Sequence, residues 1–258
     1  MHTVTGVLSR VYYLRRMNED IYKNYTSVAV FANPEEEAAF SAWGRRYFTQ
    51  RILPHVLTDR TATILEIGCG YGRYLSVLGE LGYINTYGID ISEAQIAYAR
   101  EKLGLTNVAQ ADALAFLDTK AEAYDVVMLL DVVEHLTVDY ATELLSRIQQ
   151  RLRPAGRLII QVPNALAPLS PNYYGDITHA QLYSPRTMGQ LLTLGGFRQF
   201  EFHELPPIPR GLKSRVRALL WQGLLKPAIK GFLLAANGES GGGIYTSNFL
   251  AVATNELS

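Results

Sequence analysis

Two short groups of acids and histidines are the residues best suited to chemistry in this chain. Asp131, Glu134 and His135 stand within five positions of one another, and Asp176 and His179 follow in a later segment. A histidine beside a carboxylate can accept a proton from a hydroxyl group. Two carboxylates with an imidazole can also bind a divalent metal, and both groups can equally serve a structural role in caps or loops.

A glycine-rich run is the second feature with chemical meaning. Gly68, Gly70 and Gly72 follow an apolar stretch, and glycines there let the backbone turn sharply and let a ligand approach the main chain. Asp90 ends the next apolar stretch, where its carboxylate can accept both hydroxyls of a ribose. Asp112 follows the third stretch and can face an adenine amino group. Without these acids, the glycines would indicate only a tight turn.

The elements that must position these residues alternate between strand and helix patterns. The strand candidates are Thr63–Ile67, Ile84–Asp90, Asn107–Ala111, Tyr124–Asp131 and Gly156–Val162, with two more near 198–204 and 244–253. The helix candidates lie near 72–81, 92–103, 139–152 and 185–195. This alternation predicts βαβ units and a parallel sheet covered on both faces, in which the carboxyl ends of the strands share one edge.

The same patterns divide the chain into four regions. They are an N-terminal helical cover at 1–60, an α/β core at 61–204, a basic helical insertion at 205–243, and a final strand with a tail at 244–258. In the first region, Asn33–Glu37 is typical of a helix start, with Asn before Pro and acids in the first turn. The aromatic and basic stretch Tyr12–Tyr25 is expected either to cover the substrate or to pack on the sheet edge.

The glycine run and the two acids after it resemble the class I S-adenosylmethionine (SAM)-dependent methyltransferases, over roughly residues 60 to 204. The resemblance implies a doubly wound α/β fold with a mostly parallel seven-stranded sheet whose last strand is antiparallel. It places Glu66 by the methionine part of SAM, Asp90 at the ribose and Asp112 at the adenine. The cofactor-binding residues predicted in this way are Glu66, Gly68, Cys69, Gly70, Gly72, Asp90, Ile91, Asp112, Ala113 and Asp131.

Two other classes of protein compete with this interpretation. A nicotinamide oxidoreductase needs Gly-x-Gly-x-x-Gly, and here the bulky Arg73 occupies the position of the last glycine. A SAM-binding module that has lost catalysis is the second alternative. Cys69 lies in the turn itself, and we interpret it as a small packing residue and not as a nucleophile.

The stretch Leu130–Leu136 resembles the Glu-His motif of the family, including the O-methyltransferases of ubiquinone synthesis. In those relatives the two acids and the histidine can hold a divalent metal, and Asp131, Glu134 and His135 match them, with Asp as the first acid. A metal site and a base that orients the substrate both remain open. The candidate catalytic residues are His135, His179, Asp176 and Glu134.

A narrower resemblance concerns the substrate. Gly-Asp-x-Thr-His from Gly175, Tyr-Ser-Pro-Arg from Tyr183 and Gly-Gly-Phe from Gly195 follow the order found in bacterial methyltransferases that accompany surface-polysaccharide and O-antigen enzymes. This resemblance implies O-methylation of a sugar in a surface glycan or in its lipid-linked precursor. A small aromatic or quinone-type acceptor is the alternative.

The insertion has an unusual charge pattern. From Leu205 to Gly238 there is no acidic residue, and 211–237 holds five bases among apolar residues. A basic amphipathic helix can lie in the headgroup region of an anionic membrane, so we predict contact with a membrane or a lipid carrier through 211–237. A helix pair packed on the core is the alternative. Pro227 is expected to kink or divide the helix.

Composition limits the remaining classes. Lys and Arg together number 24, as do Asp and Glu, and this neutral balance argues against a nucleic-acid partner. The single cysteine excludes an internal disulfide. The N-terminal residues lack the apolar core of a signal peptide, and no apolar stretch reaches 18 residues. We therefore expect a cytoplasmic protein, peripheral at the inner face of the cytoplasmic membrane, whose oligomeric state is open.

Overall fold

One mixed sheet organises the protein. The computed structural model describes residues 34–119, 122–209 and 211–256, so the prediction for Tyr12–Tyr25 lies outside the described residues. The strands are β1 (Ile64–Ile67), β2 (Thr86–Asp90), β3 (Val108–Gln110), β4 (Tyr124–Leu130), β5 (Leu152–Pro163), β6 (Gln199–Glu204) and β7 (Asn248–Thr254).

The order of the strands creates the place where a ligand can bind. Across the sheet the order is β3-β2-β1-β4-β5-β7-β6, with β1 to β5 parallel and β7 antiparallel to both of its neighbours. The direction of winding reverses between β1 and β4, and open α/β sheets bind ligands at the carboxyl edge beside such a reversal. The doubly wound fold with one antiparallel strand is confirmed.

Helices cover both faces of the sheet. They are α1 (Pro34–Tyr47), α2 (Arg73–Glu80), α3 (Glu93–Leu103), α4 (Ala113–Thr119), α5 (Val138–Arg151), α6 (Pro171–Tyr174) and α7 (Pro185–Leu194). Side-chain caps explain several of the starts, because the hydroxyls of Ser92, Thr137 and Ser184 accept hydrogen bonds from the first turns of α3, α5 and α7.

The strand β4 lies at the centre of the core. Val127 and Leu129 pack into the cluster on one face, and Val126 and Met128 pack into the cluster on the other. Burial on both faces is what the continuous apolar run predicted. The second cluster also contains Phe48 from the turn after α1, so the N-terminal helical region covers this face.

Several elements differ from the prediction, among them one helix and two strands. Helix α4 was not predicted, and it begins after Asp112, whose carboxylate caps it by accepting from the amide of Ala115 at 3.0 Å. β5 begins at Leu152 and not at Gly156, with a register shift against the start of β4. β7 begins at Asn248 and not at 244, because the glycines 241–243, all with positive φ, form a short 3₁₀ turn before it.

The basic insertion is helical and lies on the outside of the protein. It consists of α8 (Leu212–Leu220), a π turn (Trp221–Leu225) and α9 (Lys226–Asn237), which follow one another without a break. Pro227 lies in the first turn of α9, and the expected division of the helix stays a prediction. None of the side chains in these three elements is buried. Packing of the segment on the core and contact with a membrane therefore both stay predictions. No helix in the described ranges is long and apolar enough to cross a bilayer.

Candidate active site

The glycine-rich turn after β1 is shaped by its backbone. Gly68, Gly70 and Gly72 all have positive φ, at 72°, 55° and 80°, a conformation that side chains disfavour. A Cβ on Gly68 would lie 2.4 Å from Cγ2 of Val132, so the turn also needs a glycine for close packing. Gly70 has open space above it, where a ligand can approach the main chain.

Asp90 at the end of β2 ties this turn to the next helix. One carboxylate oxygen accepts from the amide of Gly70 and the other from the amide of Ser92, each at 2.8 Å. Each carboxylate oxygen has two lone pairs, so both retain capacity for a ribose hydroxyl. Ile91, the next residue, is solvent-exposed at the same edge.

Glu66 is the charged group buried beneath the turn. It is almost fully buried in β1, and its Oε2 has no hydrogen-bond partner among the described residues. Burial raises the pKa of Glu66 to about 8, an effect that the nearby Arg73 cation opposes. Cys69 in the turn is also buried, and burial raises the pKa of its thiol, which agrees with a packing residue and not with a nucleophile.

The third strand end contributes Asp112. Besides capping α4, its carboxylate accepts a hydrogen bond from the hydroxyl of Tyr140 at 2.9 Å. This bond fixes the orientation of the carboxylate at the carboxyl edge of β3. Ala113 follows it as the half-buried first residue of α4.

Asp131 stands at the end of β4, in the middle of the carboxyl edge. Its φ of 57° is in the left-handed region, a strained conformation that is found most often at functional sites. Two amides hold its carboxylate, that of Gln161 at 2.7 Å and that of Asn248 at 3.1 Å. Gln161 in turn accepts from the hydroxyl of Tyr47 at 2.6 Å. This network joins α1, β4, β5 and β7 at one point.

His135 follows Asp131 by one short turn and belongs to a second network. Its Nδ1 lies 2.9 Å from Oγ1 of Thr178, whose hydroxyl proton goes to Asp176 at 2.6 Å. Because that proton is committed to the carboxylate, Thr178 accepts from His135, and Nδ1 carries the hydrogen. The lone pair of the neutral ring is therefore on Nε2. Burial lowers the pKa of His135, and the neighbouring His179 adds to this effect.

His179 lies beside His135, with ring centroids 4.7 Å apart. Its Nδ1 donates to the carbonyl of Tyr173 at 2.8 Å, so its lone pair is on Nε2 as well. That Nε2 lies 4.0 Å from Oε1 of Glu134. Glu134 is 1% exposed and neither carboxylate oxygen has a hydrogen-bond partner in the described part of the chain, so burial raises its pKa well above the usual range.

The structure thus brings the two predicted groups together, with two corrections. Asp176 was expected to orient His179, but it acts on His135 through Thr178, since the backbone carbonyl of Tyr173 holds His179. In the metal interpretation, which was left open, Asp131 was one of the ligands. At this edge the ligand atoms that lie within 4.8 Å of one another belong instead to Glu134, His135 and His179, and two amides hold the carboxylate of Asp131.

A family model described as a methyltransferase domain matches residues 40–200, which is more than half of the chain. The chain belongs to this methyltransferase family. The matched residues contain all three strand ends of the cofactor side and both histidines.

Curated relatives of the methyltransferase are distant. An O-methyltransferase, cnsE, of Penicillium expansum is 26% identical over 199 residues, which cover 72% of this chain and 70% of the relative. A ubiquinone biosynthesis O-methyltransferase of Rickettsia canadensis is 30% identical over 124 residues, covering 46% of this chain and 50% of the relative.

Solved structures share the fold. A SAM-dependent methyltransferase from Archaeoglobus fulgidus superimposes with a TM-score of 0.62 at 23% identity, covering 83% of this chain and 94% of the other. Human N-acetylserotonin methyltransferase, in complex with SAM, gives a TM-score of 0.55 at 14% identity, covering 87% and 57%.

SAM is the cofactor of this methyltransferase, and the chain's residues fit it. The buried, partnerless oxygen of Glu66 suits the ammonium group of the methionine part, and the open side of Gly70 admits a ligand to the main chain. Asp90 retains lone pairs for ribose hydroxyls. When bound, SAM supplies a methyl carbon on a sulfonium, which a nucleophile attacks in line.

Several polar residues of the site were not predicted. They are Tyr47, Gln161 and Asn248. One signal was present for Gln161, because it is a polar residue within the otherwise apolar run Leu158–Val162. Asn248 gave no such signal, because only the pairing of β7 with β5 brings it near Asp131.

Proposed function

We propose that the methyltransferase methylates a hydroxyl oxygen of a sugar, in a bacterial surface glycan or in its lipid-linked precursor. The observation that carries the proposal is the pair of histidines at the carboxyl edge, each fixed through Nδ1 with its lone pair on Nε2. A sugar hydroxyl is a weak nucleophile, and an imidazole lone pair that accepts its proton strengthens it.

Each residue of the two networks has a distinct role in this proposal. His135 or His179 accepts the proton of the acceptor hydroxyl on Nε2 as the bond from that oxygen to the methyl carbon forms. Glu134, whose carboxyl burial favours in the neutral form, lies 4.0 Å from Nε2 of His179 and helps to position that ring. Asp131, held by two amides, orients the acceptor hydroxyl by accepting a hydrogen bond from it. The alternative to a base is a divalent metal bound by Glu134, His135 and His179.

A cavity beside these networks supports a sugar as the acceptor. Its volume is about 550 Å³, and it lies between α1, the loop after β5, the prolines after β6 and α8. Tyr47 lines the cavity and also donates to Gln161, which holds Asp131, so the cavity adjoins the catalytic edge. The aromatic residues in its wall are Trp43, Tyr47, Trp221 and Tyr245. Such rings stack on the apolar faces of sugars, and Arg217 in the same wall suits a phosphate or a carboxylate.

A small aromatic or quinone-type acceptor is the second candidate. It is favoured by relatives that are named as ubiquinone biosynthesis O-methyltransferases, and the same aromatic wall would accept a ring. A polyprenyl-linked sugar requires the enzyme at the inner face of the cytoplasmic membrane, which we include in the proposal. A catechol acceptor does not require that location.

A transfer assay separates these candidates. The purified chain is incubated with SAM labelled in its methyl group and with three acceptors: a polyprenyl-diphosphate oligosaccharide, the same oligosaccharide without lipid, and a catechol. We expect label on a sugar hydroxyl oxygen, most with the lipid-linked form. Label on the catechol alone would support the second candidate. SAM binding by calorimetry without transfer to any acceptor would indicate a catalytically silent module. Activity that persists in a chelator would exclude the metal.

A further inference from the structure

We infer that the helical segment 211–237 binds the surface of an anionic lipid bilayer, with the apolar face of α8 inserted among the headgroups. This inference names the surface behind the membrane location that the proposed function includes, and the surface lies outside the two hydrogen-bond networks at the histidines and Asp131. It can be tested with neither SAM nor an acceptor present.

The first observation is the exposure of large apolar side chains along the segment. Leu212 is 79% exposed, Leu219 is 73% exposed and Phe232 is 70% exposed, and five others are also exposed: Val216, Leu220, Leu224, Leu225 and Leu234. Single exposed apolar residues are common on proteins, but eight of them on one helical segment indicate a surface that contacts another apolar phase.

The second observation is the arrangement of residues around α8. At 3.6 residues per turn, Leu212, Val216, Leu219 and Leu220 fall within an arc of about 100°. Lys213 and Arg215 lie on the two flanks of that arc, where a helix lying in a bilayer surface places its bases so that they reach the phosphates. An apolar arc with bases on both flanks is the arrangement of a helix that lies in the membrane interface, and not of a helix that spans the membrane.

The opposite side of α8 faces the protein. Ser214, Arg217 and Trp221 line the cavity beside the catalytic edge, and they lie three and four residues apart on one side of the helix. The helix therefore separates the acceptor cavity from the surface that carries the apolar arc. Binding through the arc would bring the mouth of the cavity to the level of the lipid headgroups.

The charge of the segment indicates which kind of partner its apolar surface binds. Residues 211–237 contain five bases and no acid. Lys226 is engaged within the protein, because it pairs with Glu204 of β6 at 2.6 Å and so attaches the segment to the edge of the sheet. Lys213, Arg215 and Lys230 are exposed. An anionic membrane surface complements this set, and each such base adds about fivefold to binding, or about 1 kcal/mol.

A second copy of the chain fits this face less well than a membrane does. An isologous dimer through the arc would place the bases of one segment against the same bases of the other. Like charges that face one another across an interface oppose association. The described part of the segment contains no acidic residue that could compensate for this repulsion. The test must therefore distinguish a dimer from membrane binding.

The test is co-sedimentation of the full chain with vesicles, at low and high salt. The vesicles are phosphatidylcholine alone or a mixture with phosphatidylglycerol. We expect binding to the mixed vesicles only, weakened by salt. The variant Lys213→Gln/Arg215→Gln/Lys230→Gln should lose about 100-fold in partition, which is about fivefold for each base. Leu212→Ser/Leu219→Ser should lose binding at both salt concentrations.

The matched control is Ile84→Ser/Leu194→Ser, which removes two equally exposed apolar side chains far from the segment and should bind as the wild type does. Circular dichroism verifies that each variant folds. Equal binding to neutral and anionic vesicles, or no loss in either segment variant, would overturn the inference. A dimer would also overturn the inference. In that case the wild type would not bind the vesicles, and light scattering would show a dimer that the Leu212→Ser/Leu219→Ser variant dissociates.

Discussion

The two halves of the catalytic edge are built in different ways. On the cofactor side, three glycines with positive φ and backbone amides bonded to Asp90 form a turn that needs few side chains. On the acceptor side, side chains from distant parts of the chain meet around Asp131, namely those of Tyr47, Gln161 and Asn248. The hydroxyl of Thr178 and the backbone carbonyl of Tyr173 hold the histidines. A site built from main-chain groups continues to bind the same ligand when side chains are substituted. A site built from side chains can accept a different substrate after such substitutions.

The largest expected effect is a loss of turnover while the affinity for the cofactor is unchanged. His135→Ala and His179→Ala should each keep SAM affinity, because both rings are held in the network on the acceptor side. The variant that removes the base should lose turnover by about 10²–10⁴-fold. Calorimetry with SAM and the methyl-transfer assay measure the two quantities. His203→Ala, which removes a histidine on β6 outside both networks, is the control. Near-normal turnover of both active-site variants would exclude a histidine base.

The substitution of Asp90 should weaken SAM binding on the cofactor side of the edge. Asp90→Ala deletes both acceptors for the ribose and frees the amides of Gly70 and Ser92, so SAM affinity should fall by about 2–4 kcal/mol. Titration calorimetry measures the loss. Asp59→Ala is the matched control, because Asp59 also accepts backbone and hydroxyl hydrogen bonds in a turn, but far from the site. Equal SAM affinity of the two variants would contradict the ribose assignment.

A pair of glycine variants tests whether the turn is shaped by conformation or by packing. Gly68 and Gly82 both have positive φ, but a Cβ would meet Val132 at Gly68 and open space at Gly82. Gly82→Ala should cost about 1–2 kcal/mol in free energy of unfolding from strain alone. Gly68→Ala should cost about 1 kcal/mol more, by urea denaturation, and should weaken SAM binding. Equal costs would show that Val132 moves aside freely.

The smallest effect concerns the charge buried beneath the turn. Because burial raises the pKa of Glu66 to about 8 from 4.5, the folded protein holds a proton between these values that the unfolded chain releases. Stability contributed by the neutral carboxyl is therefore complete below about pH 4.5 and is lost as pH rises towards 8. Relative to wild type, the free energy of unfolding of Glu66→Gln should rise as pH increases from 5 to 8. Urea denaturation at several pH values measures it, and a constant difference would contradict the assignment.

The contrast between the halves also explains what the sequence could predict. The glycine turn, Asp90 and Asp112 each follow a strand directly, so local pattern and the rule for parallel sheets located them. Asp131 and His135 were found for the same reason. Their partners were not, because Tyr47 lies on another helix and Asn248 on the last strand, and only tertiary pairing brings them within hydrogen-bond distance.

The errors have a similar origin. Asp176 was paired with His179 by their spacing, but a threonine between them redirects the carboxylate to His135, and sequence distance carries no information about that. Helix α4 was missed because it is short and its cap, Asp112, had been assigned only to the cofactor. The roles of the histidines and of the cofactor-binding residues stay predictions.

The position of β7 has a consequence for the newly synthesised chain. β5 and β6 leave the ribosome long before residues 248–254, yet β7 lies between them. Until it arrives, the apolar run Leu158–Val162 in β5 presents an open edge of the kind that pairs with other chains. The same strand delivers Asn248 to Asp131, so closure of that edge and completion of the catalytic network occur in one event. Until its final strand is inserted, a nascent chain therefore has an open sheet edge and lacks the hydrogen bond from Asn248 to Asp131.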